Sequence, residues 1–551
     1  MPKRLLTYRS ILVLAAISVL LHSPAQTSKG QSARAAGGIV AGMAKTRRPK
    51  LIVILVIDQF RYDYLVRFRQ YFLERGFNLL LSGANFIDCR YHYATTATCP
   101  GHATLLTGAY PNVHGIIAND WYDPRRYRRV YCAEDPDTRL VGGSVGAGFS
   151  PRKLMGSTLG DELRMATDFQ SKVIAISLKD RASTIPGGHT ANAAYWYDVA
   201  TGHFVSSTYY MQALPRWAAA FNDPVPAKAY CAKAWQALPE TPGAKGRMLK
   251  QFTPDPNETC PDGKFIAWLD GTPFMNQIEL DFALAAVKNE RLGQGPAPDL
   301  LTLSLSVNDS IGHEYGPYSA EVADTTLRTD RDLADFFRGL DQALGLDNIW
   351  IILTADHGVA PSPNFSIQHR LLGPQAPPLA IWRAVEHALS EALGRGPWVQ
   401  DLDDHYISLN PFTLKGKNAD LAKAEMIAAA AASSVPGVRA AFTRTQLLQG
   451  PLPDSPLARM ASNSFNEKRS GDVFLISDPY VMTVPTGTRT SHGEPWNYDA
   501  QVPLILWGNA FKPGTYATPC ETIDMVPTLA VVLGLTQPSG AQGQPLASAL
   551  K

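Results

Sequence analysis

The chain has 551 residues, too many for one small domain and enough to bury a sizeable core without cross-links. Hydrophobic residues at 45% and charged residues at 18% exclude a disordered, collagen-like or coiled-coil protein. The net charge of +2 includes Lys3, Arg4 and Arg9; without these three, 48 basic residues face 49 acidic ones, which excludes a general electrostatic footprint for nucleic acid.

Lys3, Arg4 and Arg9 precede residues 11–21 (ILVLAAISVLL), apolar except for Ser18, and Ser23-Pro24-Ala25 follows. That order is expected of an export signal, residues 1–25, and of a periplasmic or secreted protein. Eleven residues span about 16 Å as a helix, short of the roughly 30 Å hydrocarbon core, which argues against a membrane anchor. No later run is long and apolar enough to cross a bilayer. Residues 26–48 are rich in Ala, Gly and Ser and read as a flexible leader. Export would put Cys89, Cys99, Cys132, Cys231, Cys260 and Cys520 in an oxidising compartment, with up to three disulfides. Cys231–Cys260 is the first pair expected, because it brackets a Pro-rich stretch.

The first core strand is 51–57 (LIVILVI), short, β-branched and continuous, the mark of a strand buried on both faces. It runs into Asp58. Residues 95–108 read as a loop entering a short helix, with Pro100 at the first helical position and Thr98 just before it. A helix N-terminus favours an anion, so Thr98 is the nucleophile candidate and Cys99 its rival. Residues 127–130 suggest a hairpin near the site mouth, and 157–167 a helix. The strand 172–178 (KVIAISL) leads into Lys179-Asp180-Arg181. Residues 222–263 look like an insertion. The strand 300–307 (LLTLSLSV) leads into Asn308-Asp309, with His313 four residues after Asp309, where one helical turn would put both on one face. A helix is expected over 319–344. The strand 348–354 (NIWIILT) leads into Asp356-His357-Gly358. Residues 366–484, with an Ala-rich helix over 421–434, read as an accessory α+β subdomain. Ser491-His492-Gly493 and a last core strand, 502–507, follow.

Strands and helices alternate, so the fold expected is α/β, with a mostly parallel central sheet flanked by helices. The catalytic core would occupy 49–365 and 485–540. Taken singly, each cluster has a plainer explanation: an Asp after a strand most often caps a helix or forms a turn. Coincidence argues otherwise. Carboxylates, imidazoles or a basic pair follow four separate core strands, at the end of the sheet where ligands bind. Asp and His with no cysteine suit zinc or a similar divalent metal. A threonine hydroxyl needs such an activator to be a nucleophile.

Asp58, Thr98-x-Pro100-Gly101-His102, Asp309-x-x-x-His313, Asp356-His357-Gly358 and Ser491-His492-Gly493 together resemble the alkaline phosphatase superfamily of two-zinc hydrolases. Lys179-x-Arg181 and the stretch from Gly115 through Asn119 to Tyr122 look like its PafA-type branch of phosphate monoesterases. The resemblance implies one zinc held by Asp58, Asp356 and His357 and touching Thr98, and a second held by Asp309, His313 and His492. It implies that Thr98 attacks to give a phosphothreonine and that Asn119, Lys179 and Arg181 grip the phosphoryl oxygens. His102 and His114 are not ligands in that pattern. Cys99 beside the nucleophile suggests sensitivity to thiol reagents. The expected substrates are small phosphate monoesters, with no nucleic-acid partner and a monomer favoured; an added structural calcium is left open. The rival readings are a zinc phosphodiesterase or nucleotide pyrophosphatase of the same superfamily and, from another class, a non-catalytic phosphate-binding protein. A sulfatase is disfavoured, since Cys99 is followed at once by Pro100-Gly101-His102.

Overall fold

A computed structural model describes residues 47–253, 259–371, 378–481 and 489–551. The expected export signal and most of the expected leader lie outside the described residues. Five strands run parallel at the centre of a twelve-stranded sheet. In chain order, the strands that matter here are β1 (Leu51–Ile57), β2 (Ala84–Arg90), β3 (Val173–Ser177), β4 (Ala193–Asp198), β5 (Asp299–Leu305), β6 (Ile349–Thr354) and β7 (Gln501–Trp507). Across the sheet they lie in the order β2, β7, β6, β1, β5, β3, β4. The parallel block runs from β6 to β4, and β7 pairs antiparallel with both β6 and β2. Every residue of β1, β3, β5 and β6 is buried. This is why they read in the sequence as unbroken apolar runs: helices cover both faces.

The register decides what meets at the end of the sheet. Ile57 of β1 pairs with Leu305 of β5, and Val56 pairs with Thr354 of β6. Ser304 of β5 pairs with Ser177 of β3. The next residues along all four strands therefore emerge side by side.

Helix boundaries follow local chemistry. The helix Leu159–Ala166 begins where Thr158 and Asp161 form a reciprocal capping box. The helix Ala320–Leu344 is capped by the Ser319 hydroxyl, which accepts from Val322 N–H. The segment 222–263 is pinned to that long helix: Asp324 accepts from the Trp235 indole at 2.7 Å, Leu238 N–H at 2.6 Å and the Thr241 hydroxyl at 2.6 Å. The expected Cys231–Cys260 disulfide closes it.

A second, four-stranded sheet pairs Val399–Leu402, Tyr406–Leu409, Val473–Ser477 and Val438–Thr443, in that order. The helices Pro378–Leu393 and Leu421–Ser433 share a core with it through Val385, Leu389, Trp398, Ala424, Ala428 and Val473. Among the described residues, no helix is long and apolar enough to cross a membrane.

Candidate active site

The candidate residues gather at the carboxyl end of the parallel strands. Asp58 directly follows β1. Lys179 and Arg181 follow β3, at the start of the helix α2 (Asp180–Gly187). Asp309 and His313 lie on α3 (Val307–Tyr315), after β5. Asp356 and His357 follow β6. Thr98 opens the helix α1 (Thr98–Thr107), whose ten residues are all buried. The sequence puts Pro100 at the first helical position; in the structure that position is Thr98, and Pro100 sits two residues further in. Either position suits proline, because the first-turn N–H groups have no partner inside the helix.

Two groups of potential metal ligands form. Asp58, Asp356 and His357 are fully buried and offer ligand atoms all within 4.8 Å of one another. His357 Nε2 lies 3.4 Å from Asp58 Oδ1 and 3.5 Å from Asp356 Oδ2. The Thr98 hydroxyl is 3.5 Å from the same nitrogen. Around Asp309, His313 Nε2 lies 3.2 Å and His492 Nε2 3.7 Å from the same oxygen, Oδ1. His357 stacks on His492 at 3.5 Å between centroids. A ligand cluster of Asp309, His492 and His357 is therefore tighter than the expected trio with His313. His313 still shares Asp309, but its ring centroid lies 5.0 Å from that of His492.

The hydrogen bonds orient these rings for a cation. His357, His313 and His492 each donate from Nδ1 to a backbone carbonyl: Gly358 at 2.9 Å, Thr490 at 2.8 Å and Thr96 at 2.8 Å. A carbonyl can only accept, so Nδ1 carries the proton and Nε2 presents a lone pair. Asp58 Oδ1 and Asp356 Oδ2 are buried without any hydrogen-bond donor. Three potential ligand atoms thus face one another with no hydrogen bond between them. Such orphaned buried atoms are costly unless a cation fills the space, and the donor set suits zinc.

Charge follows the same pattern. Burial, and then the neighbouring Asp309 and Asp356 carboxylates, push the Asp58 carboxyl well above its ordinary range. Burial acts the same way on Asp309, but Lys179, His313 and His492 outweigh it and hold that carboxyl well below. Burial, with His357 and His313 beside it, drives the His492 imidazole well below its usual value, towards the neutral form a ligand needs. Lys179 Nζ donates to Asp58 Oδ2 at 2.7 Å and to Asp309 Oδ2 at 2.5 Å. Arg181 is half-buried, and its buried Nε finds no partner. The Asn119 side-chain Oδ1 accepts from Cys99 N–H at 2.9 Å, which leaves its NH2 end as a donor for a ligand.

Two further histidines are not members of either ligand group, although His102 Nδ1 lies 3.3 Å from Asp356 Oδ2. His102 bonds the Thr98 carbonyl at 2.9 Å and the Ser304 hydroxyl at 2.8 Å. His114 bonds Thr104 and Ile116 N–H, each at 3.1 Å.

The expectation for Cys99 needs correction. It is disulfide-bonded to Cys132, so it is neither a nucleophile nor a target for thiol reagents. No spacing pattern signals that pairing; it follows from the hairpin that brings Cys132 back to α1. Of the three disulfides allowed by the count, two form, and Cys89 and Cys520 are buried thiols facing each other across paired strands. Gln59 was also missed: its side chain donates to Asp309 Oδ1 at 2.6 Å and its N–H to Asp356 Oδ1 at 3.1 Å. Gly312 makes room for it, since a Cβ there would overlap the Gln59 carboxamide. The position of Gln59 right after Asp58 was the one available signal.

Residues 52–494 match the family model "Type I phosphodiesterase / nucleotide pyrophosphatase". Alkaline phosphatase PhoV of Synechococcus elongatus is 36% identical, over 92% of this chain and 93% of that protein. Alkaline phosphatase PafA of Elizabethkingia meningoseptica is 34% identical, over 91% and 94%. A protein of Myroides odoratus named calcium-transporting ATPase is 35% identical, over 93% and 96%. A crystal structure of alkaline phosphatase PafA superposes with a TM-score of 0.84 at 32% identity, over 92% of this chain and 99% of that one. The chain belongs to the type I phosphodiesterase / nucleotide pyrophosphatase family, within the alkaline phosphatase superfamily.

Proposed function

We propose that the protein is an exported alkaline phosphatase that hydrolyses phosphate monoesters through a phosphothreonine at Thr98. The observation that carries this reading is the set of potential ligand atoms, the unpartnered Asp58 Oδ1 and Asp356 Oδ2 together with His357 Nε2, beside the Thr98 hydroxyl, with Lys179 and Arg181 alongside. Its PhoV and PafA relatives, alkaline phosphatases by name, support it. The two disulfides fit an oxidising compartment and so support export.

Asp58, Asp356 and His357 would hold one zinc ion, and Asp309, His313 and His492 a second. Bound there, zinc supplies Lewis acidity for the attacking and leaving oxygens. The remaining chemistry belongs to the chain. The Thr98 oxygen forms a bond to phosphorus as the bond to the ester oxygen breaks, and the departing alcohol takes up a proton. Asn119, Lys179 and Arg181 neutralise charge on the non-bridging oxygens, where positioning and electrostatics do most of the catalysis. Water then cleaves the phosphothreonine, releasing phosphate and restoring the hydroxyl.

The test compares p-nitrophenyl phosphate, bis-p-nitrophenyl phosphate and ATP as substrates, with zinc measured in the same preparation. The monoester should be the preferred substrate, with about two zinc ions per chain and activity lost to a chelator and restored by zinc. Thr98→Ala should keep the fold and metal but abolish most turnover, and Thr98→Ser should retain part of it. Near wild-type turnover by Thr98→Ala would overturn the assignment. Preference for the diester would favour a phosphodiesterase, the reading that the family name itself keeps open.

A further inference from the structure

Three candidate phosphoryl-site residues come from separate parts of the chain: Thr98 from α1, Asn119 from the loop before a hairpin, and Arg181 from α2. The hairpin pairs Asp120–Asp123 with Arg128–Tyr131, with Asp120 opposite Tyr131. Cys132 immediately follows it. The Cys99–Cys132 disulfide fastens this end of the hairpin to the residue after Thr98, with 6.5 Å between Cα atoms. Asn119 is tied to both halves of that link: its carbonyl O accepts from Cys132 N–H at 2.8 Å, and its side-chain oxygen accepts from Cys99 N–H at 2.9 Å.

The same hairpin reaches Arg181. The Tyr131 hydroxyl donates its single proton to Asp180 Oδ1 at 2.5 Å, so its oxygen is left to accept from Arg181 Nη1 at 3.3 Å. The Tyr131 ring is fixed edge-on against Phe149 at 5.9 Å. An arginine side chain is otherwise free to rotate about several bonds, and a group misplaced by about 1 Å can cost on the order of 10²-fold in rate.

We propose that this hairpin, locked by the Cys99–Cys132 disulfide, is the positioning element that holds Asn119 and Arg181 in register with Thr98, and that the Tyr131 hydroxyl is the positioning group for Arg181. The inference rests on the phosphatase reading. It assigns to Tyr131 and to the disulfide a role in orientation, not contact with the phosphoryl group.

The test uses the purified holoenzyme and two variants. Tyr131→Phe keeps the ring and removes only the hydroxyl. The expected result is a fall of about tenfold in kcat/KM for p-nitrophenyl phosphate, a fall of less than about threefold for the bis ester, and unchanged zinc content and Tm. In an Arg181→Ala background the same change should cost nothing further, because the group it orients is gone. Cys99→Ser with Cys132→Ser should lower monoester turnover with zinc retained, and should weaken the effect of Asn119→Ala. If the double serine variant does not fold, Tyr131→Phe decides alone. Equal losses on both esters, or a full loss from Tyr131→Phe added on top of Arg181→Ala, would overturn the proposal. No loss from Tyr131→Phe in an enzyme that does hydrolyse the monoester would overturn this inference alone; a wild type without monoesterase activity would overturn the phosphatase reading first.

Discussion

The Lys179 ammonium sits between two carboxylates, 2.7 Å from Asp58 Oδ2 and 2.5 Å from Asp309 Oδ2. Burial would pull its pKa down, but Asp309 and Asp58 outweigh burial and hold it above the ordinary lysine value, so it stays charged. Arg181 adds a planar cation from the same turn. A phosphate monoester carries more negative charge than a diester, so this pair should discriminate between them. Each charge-assisted hydrogen bond is worth roughly 1.5–3 kcal/mol. Lys179→Ala with Arg181→Ala should therefore lower kcat/KM for a monoester by about 10²–10⁴-fold. The ratio of monoester to diester activity should fall by at least about tenfold, read from steady-state kinetics on both p-nitrophenyl esters. Equal losses would assign the pair to holding Asp58 and Asp309 in place. The basic pair was legible because it follows a core strand. Its contacts were not: nothing in Lys179-x-Arg181 says that the lysine spans residues 121 and 130 positions away.

Among the elements, α1 shows how closely the candidate nucleophile, Thr98, is seated. Gly101 lies one turn after Thr98, against the end of β6, and a Cβ there would come 2.3 Å from the Asp356 carbonyl oxygen and 2.7 Å from the Asp356 Cβ. These are main-chain and Cβ atoms that cannot swing aside. Gly101→Ala should push α1 off the strand end, with an overpacking cost of about 1–3 kcal/mol. Because the displacement separates Thr98 from Asp356 and His357, kcat should fall by more than about tenfold even where the protein remains folded. Paired activity and thermal-unfolding measurements check this, and a stable, fully active variant would contradict the close approach. The core strands were legible to within two residues, since β1, β3, β5 and β6 are buried on both faces and leave unbroken apolar runs. The start of α1 was less so. A proline is tolerated anywhere in the first helical turn, and no polar side chain caps this helix. The second sheet, with strands of four to six residues, left only its Ala-rich helix visible in the sequence.

For the molecule as a whole, His114 makes stability depend on acid. It is fully buried, accepts from Ile116 N–H at Nδ1 and bonds Thr104 through Nε2. Burial, and then the nearby Arg469 cation, lower its pKa from 6.5 to about 3. The folded state therefore holds it neutral, while the unfolded chain takes up a proton below about pH 6.5. Its contribution is fully present above pH 6.5 and is lost as pH falls towards 3. Between pH 6.5 and 4.5 the loss should be about 2 kcal/mol. His114→Gln, which keeps an acceptor and a donor but does not titrate, should flatten that part of the curve. Urea unfolding at both pH values checks it; equal slopes in the two proteins would show that His114 is charged or exposed in the fold.

The seating of β7 has a consequence for how the chain is made. This strand is formed near the end of synthesis, yet it lies between β6 and β2, which come from the middle and the beginning of the chain. Until the ribosome has passed Trp507, β2 has no place beside β6, and β6 carries an open edge. The last histidine of the site, His492, arrives only shortly before. A nascent chain therefore cannot close its central sheet, whatever its local propensities, and contacts spanning hundreds of residues make closure slow. If the protein is exported as proposed, that delay favours delivery over premature folding.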